Sequence, residues 1–163
     1  MSGSPSISAA CAIAPRTTWP AILGETAIEV FSTMAGVAPV IPEGSDFPFR
    51  VEVTGMVGIA GPLGAVFSLR CSLHCATMIA SRMLGVPANE AAAQKCDAVG
   101  EICNMVAGYF KAKIGLGDRC VLSVPTVVAG KNYQIRCRHD DVRMEMLLLY
   151  ESEPIWIALD IRP

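Results

Sequence analysis

Lys95-Cys-Asp97-Ala-Val-Gly-Glu101-Ile-Cys-Asn104-Met-Val-Ala-Gly108-Tyr-Phe-Lys111-Ala-Lys113 is the most strongly patterned stretch of the chain. Val99, Ile102, Cys103, Val106, Tyr109 and Phe110 recur at helical spacing and form an apolar stripe. Asp97, Glu101, Asn104, Gly108 and Lys111 form the opposite stripe, stepping by four, three, four and three. The pattern predicts a helix from about Ala91 to Ile114, stopped by Gly115 and Gly117. Glu101 and Asn104, three residues apart, stand side by side on its polar face.

Two residues of that face are unusual. Asn is a poor helix-interior residue because its amide competes for backbone groups. Gly108 costs about 1 kcal/mol relative to Ala at an exposed interior position. Asn104 offers a donor and an acceptor at a fixed place, and Gly108 leaves room for close approach to the backbone. On these residues alone, a solvated face that tolerates one Asn is an equal reading.

The same pattern echoes upstream. Glu29-Val-Phe-Ser-Thr-Met-Ala-Gly36 can be laid on Glu101-Ile-Cys-Asn-Met-Val-Ala-Gly108, with Glu, Ala and Gly at the same offsets. Glu25 then falls opposite Asp97, and Ser32 stands where Asn104 does. Strands are expected after each copy, so a duplicated helix-plus-strands unit follows, a chance match of a short stretch being the alternative.

The rest of the chain reads outward from these two helices. Residues 1–19, rich in Ser, Ala and Pro, are expected to form a loose tail, and residues 20–163 the domain. Pro20 suits the first turn of the upstream helix, which Gly36 and Pro39 stop. Arg50 to Gly58 and Ala65 to Cys71 read as a hairpin about Gly61-Pro-Leu-Gly64. Ser72 reads as the N-cap of a helix through Leu84 that ends at Gly85. Strands are expected at Cys120 to Val128, Tyr133 to Arg138, Val142 to Glu151 and, after a break at Pro154, Ile155 to Ile161. Antiparallel hairpins with packed helices make an α+β fold rather than a parallel one.

Composition narrows the function. The chain has 163 residues, 52% hydrophobic and 17% charged, against roughly 25% charged in an average soluble protein. So apolar a chain is expected to bury surface in a homo-oligomer, with Met144 to Tyr150 and Ile155 to Leu159 as candidate intersubunit edges. A net charge of −2 with scattered Lys and Arg gives no nucleic-acid footprint. No apolar run approaches the roughly 18 residues needed to span a membrane. Ser8 to Ala14 is mildly apolar but lacks a positive region before it, which favours a cytoplasmic protein over a secreted one.

The seven Cys show no framework spacing and read as free thiols, mostly buried. Cys71, His74 and Cys75 lack the further ligands of a metal site. His74 and His139 are expected to be bland surface or packing residues, and Trp19 and Trp156 packing anchors.

Asp97-Ala-Val-Gly-Glu101-Ile-Cys-Asn104-Met-Val-Ala-Gly108, followed by Leu122-Ser-Val-Pro125-Thr-Val-Val-Ala-Gly130, resembles the CheX and CheC chemotaxis phosphatases. Gly58-Ile-Ala-Gly-Pro-Leu-Gly-Ala-Val-Phe-Ser-Leu69, leading to Met83-Leu-Gly85, is similar to the same family, so the resemblance spans about residues 20–162. CheC-type members carry two Glu-x-x-Asn helices and CheX-type members one. The pair is intact at Glu101 and Asn104 and lost at Glu29 and Ser32, which puts this chain nearer CheX.

The resemblance implies a phosphatase for the phospho-aspartate of a CheY-like receiver, and typically a homodimer. It implies that Asn104 orients the attacking water and that Glu101 docks a receiver Lys. Asp97, Gly108 and Lys111 would line the partner contact. It also implies no metal or cofactor of the chain's own, the Mg²⁺ being the receiver's. A non-catalytic receiver-binding or flagellar-switch adaptor of the same fold is the alternative.

Overall fold

The computed structural model describes residues 12–44, 46–138 and 140–163. Cys11 and His139 lie outside the described residues. The elements run α1 (Trp19–Ala35), β1 (Val53–Ala60), β2 (Ala65–Cys71), α2 (Leu73–Leu84), α3 (Ala88–Ala91), α4 (Lys95–Lys113), β3 (Val121–Leu122), β4 (Thr126–Ala129), β5 (Val142–Tyr150) and β6 (Glu153–Ile161).

The strands form one antiparallel sheet in the order β3-β1-β2-β6-β5, with β4 pairing the same side of β1 as β3. Alternate residues face the helices, as period-two strands require. From β1 these are Val53, Val57 and Ile59, from β2 Phe67 and Leu69, and from β6 Ile155, Ile157 and Leu159, all buried. The helices return Leu23, Val30 and Phe31 from α1, Ile79 from α2, and Val99, Ile102, Cys103, Val106 and Phe110 from α4.

The layout carries the symmetry of a unit used twice. β2 and β6 adjoin at the centre, β1 and β5 lie outside them, α4 packs over β1 and α1 reaches β5. Each crossing uses a glycine. A Cβ on Gly55 of β1 would stand 2.6 Å from Cys103 Sγ, and one on Gly24 of α1 would stand 2.8 Å from Met146 Sδ. The echo is not complete, because Gly36 caps α1 at φ 68° whereas Gly108 lies inside α4.

Ser72 caps α2 as its sequence predicts, its Oγ accepting from the Cys75 amide at 3.0 Å, and Gly85 closes the helix at φ 67°. Other expectations need correction. The helix expected from Ala91 starts at Lys95, preceded by the short α3 and a 3₁₀ turn at Ala92–Gln94. Tyr109, expected in the apolar stripe, is exposed, since it stands at the margin of the buried face.

Tyr133 to Arg138 is not a strand of the sheet. It crosses the face opposite the helices, where Tyr133 and Thr54 hydroxyls hydrogen-bond at 2.8 Å. Its alternation reports which residues touch that face, not ladder pairing. Pro154 does not break the last strand. It lies inside β6 opposite Leu149, beyond the end of β2, so its missing N–H interrupts no bond to that neighbour. The turn between β5 and β6 is instead made by Glu151 and Ser152 at φ 48° and 70°. Ile155 to Leu159 is interior to the sheet, which leaves β5 as the outer strand.

Within the expected tail, residues 12–19 are anchored to the domain. The Ala14 amide donates to the Ile114 carbonyl at 2.9 Å, and Trp19 Nε1 donates to the Ala14 carbonyl at 2.9 Å. Trp19 is buried edge-on against Phe110, so the chain entering α1 is fastened to the end of α4.

Candidate functional site

The position of α4 is set by what its buried stripe meets. Gly55 lets the helix lie close on β1, with Val99 and Cys103 filling the space a side chain would take. Burial pushes the Cys103 thiol up to about 12, so it stays neutral and packs as an apolar group. That contact leaves Asp97 and Glu101 on the exposed side of the helix and Asn104 at its half-buried margin.

Glu101 and Asp97 are exposed and Asn104 is half-buried. The side-chain hydrogen bonds and ion pairs of α4 among the described residues are made by Lys95, Lys111 and Lys113, and none by Asp97, Glu101 or Asn104. A Glu and an amide one turn apart are thus free to meet another molecule. Lys111 Nζ donates to the Gly117 carbonyl, closing the turn after α4. Gly108 faces Leu122, and a methyl there would meet Leu122 Cδ1 at 3.7 Å, an ordinary contact.

The helix also packs along the β3–β4 edge. Gly100 faces Pro125 and Val127, each 3.4 Å from an added Cβ, and Gly108 faces Leu122. Asn104 lies midway, four residues from each glycine on one helix ridge. It therefore stands level with the interruption between β3 and β4.

That interruption is a β-bulge. Ile59 pairs Leu122 and Met56 pairs Thr126, so Ser123, Val124 and Pro125 oppose only Val57 and Gly58. Ser123 pins it, its amide donating to the Gly58 carbonyl at 2.9 Å and its Oγ accepting from the Gly58 amide at 2.8 Å. Pro125 has no amide to lend to a ladder. The strand expected over Cys120 to Val128 is therefore split, and Pro125 was the signal in the sequence. A shallow depression of about 280 Å³ beside Glu101 is lined by Cys96, Asp97, Gly100, Glu101, Pro125 and Val127.

The equivalent face of α1 is differently occupied. Glu29, the counterpart of Glu101, is paired with Lys113 across the α1–α4 contact, and Ser32 brings no amide. Among the described residues no group of three or more His, Cys, Asp or Glu side chains converges as a metal site. Cys71 and Cys75 are buried free thiols while His74 points out toward Glu153. Cys103 and Cys120 are likewise free and buried, whereas Cys137 is exposed. No helix among the described residues is long and apolar enough to cross a membrane.

Residues 53–148 match the family model of the chemotaxis phosphatase CheX, which is more than half of the chain. The chain belongs to the CheX family. Comparison with curated protein sequences finds no match. Among solved structures, a CheC-like superfamily protein from Shewanella sp. PV-4 is similar, with 24% identity and a TM-score of 0.75 over 91% of this chain and 100% of that one. The chemotaxis protein CheX from Vibrio vulnificus has 24% identity and a TM-score of 0.74 over 88% of this chain and 99% of that one. CheX from Borrelia burgdorferi, solved as a complex with CheY, BeF₃ and Mg²⁺, has 16% identity and a TM-score of 0.73 over 89% of this chain and 98% of that one. These likenesses establish a common fold. In this CheX-family chain the Glu-x-x-Asn pair lies on the polar face of α4, beside the bulged edge.

Proposed function

We propose that this protein accelerates loss of phosphate from the phospho-aspartate of a CheY-like receiver domain. The observation that carries this reading is the pair Glu101 and Asn104, adjacent on α4 and free of partners among the described residues, in a chain of the CheX family. The complex of the Borrelia CheX with CheY supports the choice of partner.

Phosphoryl transfer needs chiefly positioning and charge stabilisation. Asn104 enters the receiver's site and holds the attacking water in line through its amide. An amide is no general base at pH 7, so it orients the water without taking its proton. Glu101 pairs with a receiver Lys and fixes the docking register. Asp97 adds a second carboxylate one turn away, and Gly108 lies at the margin of the contact, toward Leu122. Lys111 flanks the contact while bonded to Gly117. The Mg²⁺ belongs to the receiver, where it neutralises charge on the transferring phosphoryl group. The setting is cytoplasmic.

Phosphate release from a phosphorylated receiver, with and without this protein, tests the reading. Binding without faster release would make the chain an adaptor. Glu101→Ala is expected to raise KM for the phosphorylated receiver about tenfold, the loss of one charge-assisted contact, with a smaller change in kcat. An unchanged KM would remove Glu101 from docking.

We further propose a homodimer formed along β5. Beyond its pairing with β6, that strand is bridged only at Leu149 by Val40 among the described residues, and Val40, Ile41 and Val142 are exposed. An open apolar edge is stabilised by pairing with a second copy. Light scattering should give twice the 17.3 kDa chain mass, and a chain-mass result across micromolar concentrations would refute the dimer.

A further inference from the structure

We infer that Val124, at the tip of the bulge, is a second docking element of the α4 face and sets affinity for the receiver. This rests on the proposed phosphatase reading and goes beyond the Glu101 and Asn104 pair.

Three observations carry it. Val124 is 83% exposed, the most exposed of the chain's large apolar side chains among the described residues. It is also held in place. Ser123 is bonded twice to Gly58, and Pro125 rests on the helix at Gly100. A fixed apolar group loses little conformational freedom when a partner covers it. Finally, the extra residue of the bulge coincides with the level of Asn104, as the Gly100 and Gly108 contacts show.

Bulges on edge strands often re-aim a side chain beside a working site. A regular ladder would need no third residue opposite Val57 and Gly58. The bulge instead sets an apolar knob next to Pro125, which with Val127 lines the depression beside Asp97 and Glu101. The surface that fits this face is the receiver's own, with an apolar residue beside the basic group that meets Glu101. Solvent-exposed carboxylates steer encounter, while a buried apolar anchor slows departure.

The test compares Val124→Asp and Val124→Ile with the unaltered chain in phosphate release from a phosphorylated receiver. Val124→Asp should raise KM tenfold or more with kcat at saturation retained, and Val124→Ile should keep KM within about twofold, on the usual weight of an interface anchor. Unfolding midpoints of both variants should match the unaltered chain, because the side chain is largely exposed. An unchanged KM in Val124→Asp, with the unaltered chain active, overturns the inference and leaves the phosphatase reading intact. An unaltered chain that releases no phosphate from any receiver overturns the phosphatase reading itself. Receiver binding weakened by Val124→Asp, measured on a stable phosphoryl mimic, would then still support the docking element. Equal binding would overturn it too.

Discussion

Asn104→Ala is expected to bring phosphate release back to the receiver's own rate, a loss on the order of a hundredfold or more in kcat, with KM little changed. The size follows from the role. A water held in line by a fixed amide reacts with its orientation already arranged, and no neighbour can replace that amide. Asp97 and Glu101 carry carboxylates, which accept hydrogen bonds but cannot donate at neutral pH. Ser32, on the other helix, lies beside a Glu29 already engaged by Lys113.

The fold should not respond. Asn104 is half-buried and makes no side-chain hydrogen bond among the described residues, and Ala is the better helix former. The unfolding midpoint should therefore hold or rise while activity disappears. Asn104→Gln is a sharper control, because it keeps the amide and moves it by one methylene. Activity between the two levels would place the requirement on position as well as on chemistry. Full activity in Asn104→Ala would sink the catalytic assignment, and the binding face would then serve an adaptor.

Much of this arrangement was legible in the residues, for reasons that can be named. The α4 stripe is long and periodic, and of its apolar residues only Tyr109 at the margin is exposed, so its face and its pair of polar residues are legible directly. The α2 helix carries both end signals, Ser72 and Gly85, and these residues are its caps. Tyr133 to Arg138 misled because alternation describes contact with an apolar surface, and a segment lying across a sheet alternates as one inside it does. Pro154 misled because a proline's cost depends on how many neighbours pair with it. The bulge is not legible in the sequence beyond Pro125, since one residue of slip is visible only when both strands are in register. Nor could a single chain reveal that Lys113 would engage Glu29, a contact between residues 84 apart in sequence.

Gly55→Ala is expected to be the most damaging small substitution near the site. Its methyl would stand 2.6 Å from Cys103 Sγ and 2.9 Å from Val99 Cγ1, both fully buried on the inner stripe of α4. Real side chains do not come so close, so the helix must lift or the two residues must leave their rotamers. Overpacking of this kind costs about 1–3 kcal/mol. For a domain of this size that lowers the midpoint of thermal unfolding by roughly 2–12 °C. A lifted α4 also carries Asn104 away from the level of the bulge, so kcat should fall in the folded population. The cause can be isolated by adding Cys103→Ala, which removes the nearer atom and leaves Val99 in place. The double variant should recover part of both losses, with a coupling of about 0.5–3 kcal/mol between the two positions. Additive destabilisation would mean that the methyl is accommodated elsewhere and that Gly55 does not set the height of the helix. Recovery of stability without recovery of kcat would mean that the helix returns to β1 in a different register, which separates the packing of α4 from the aim of its polar face.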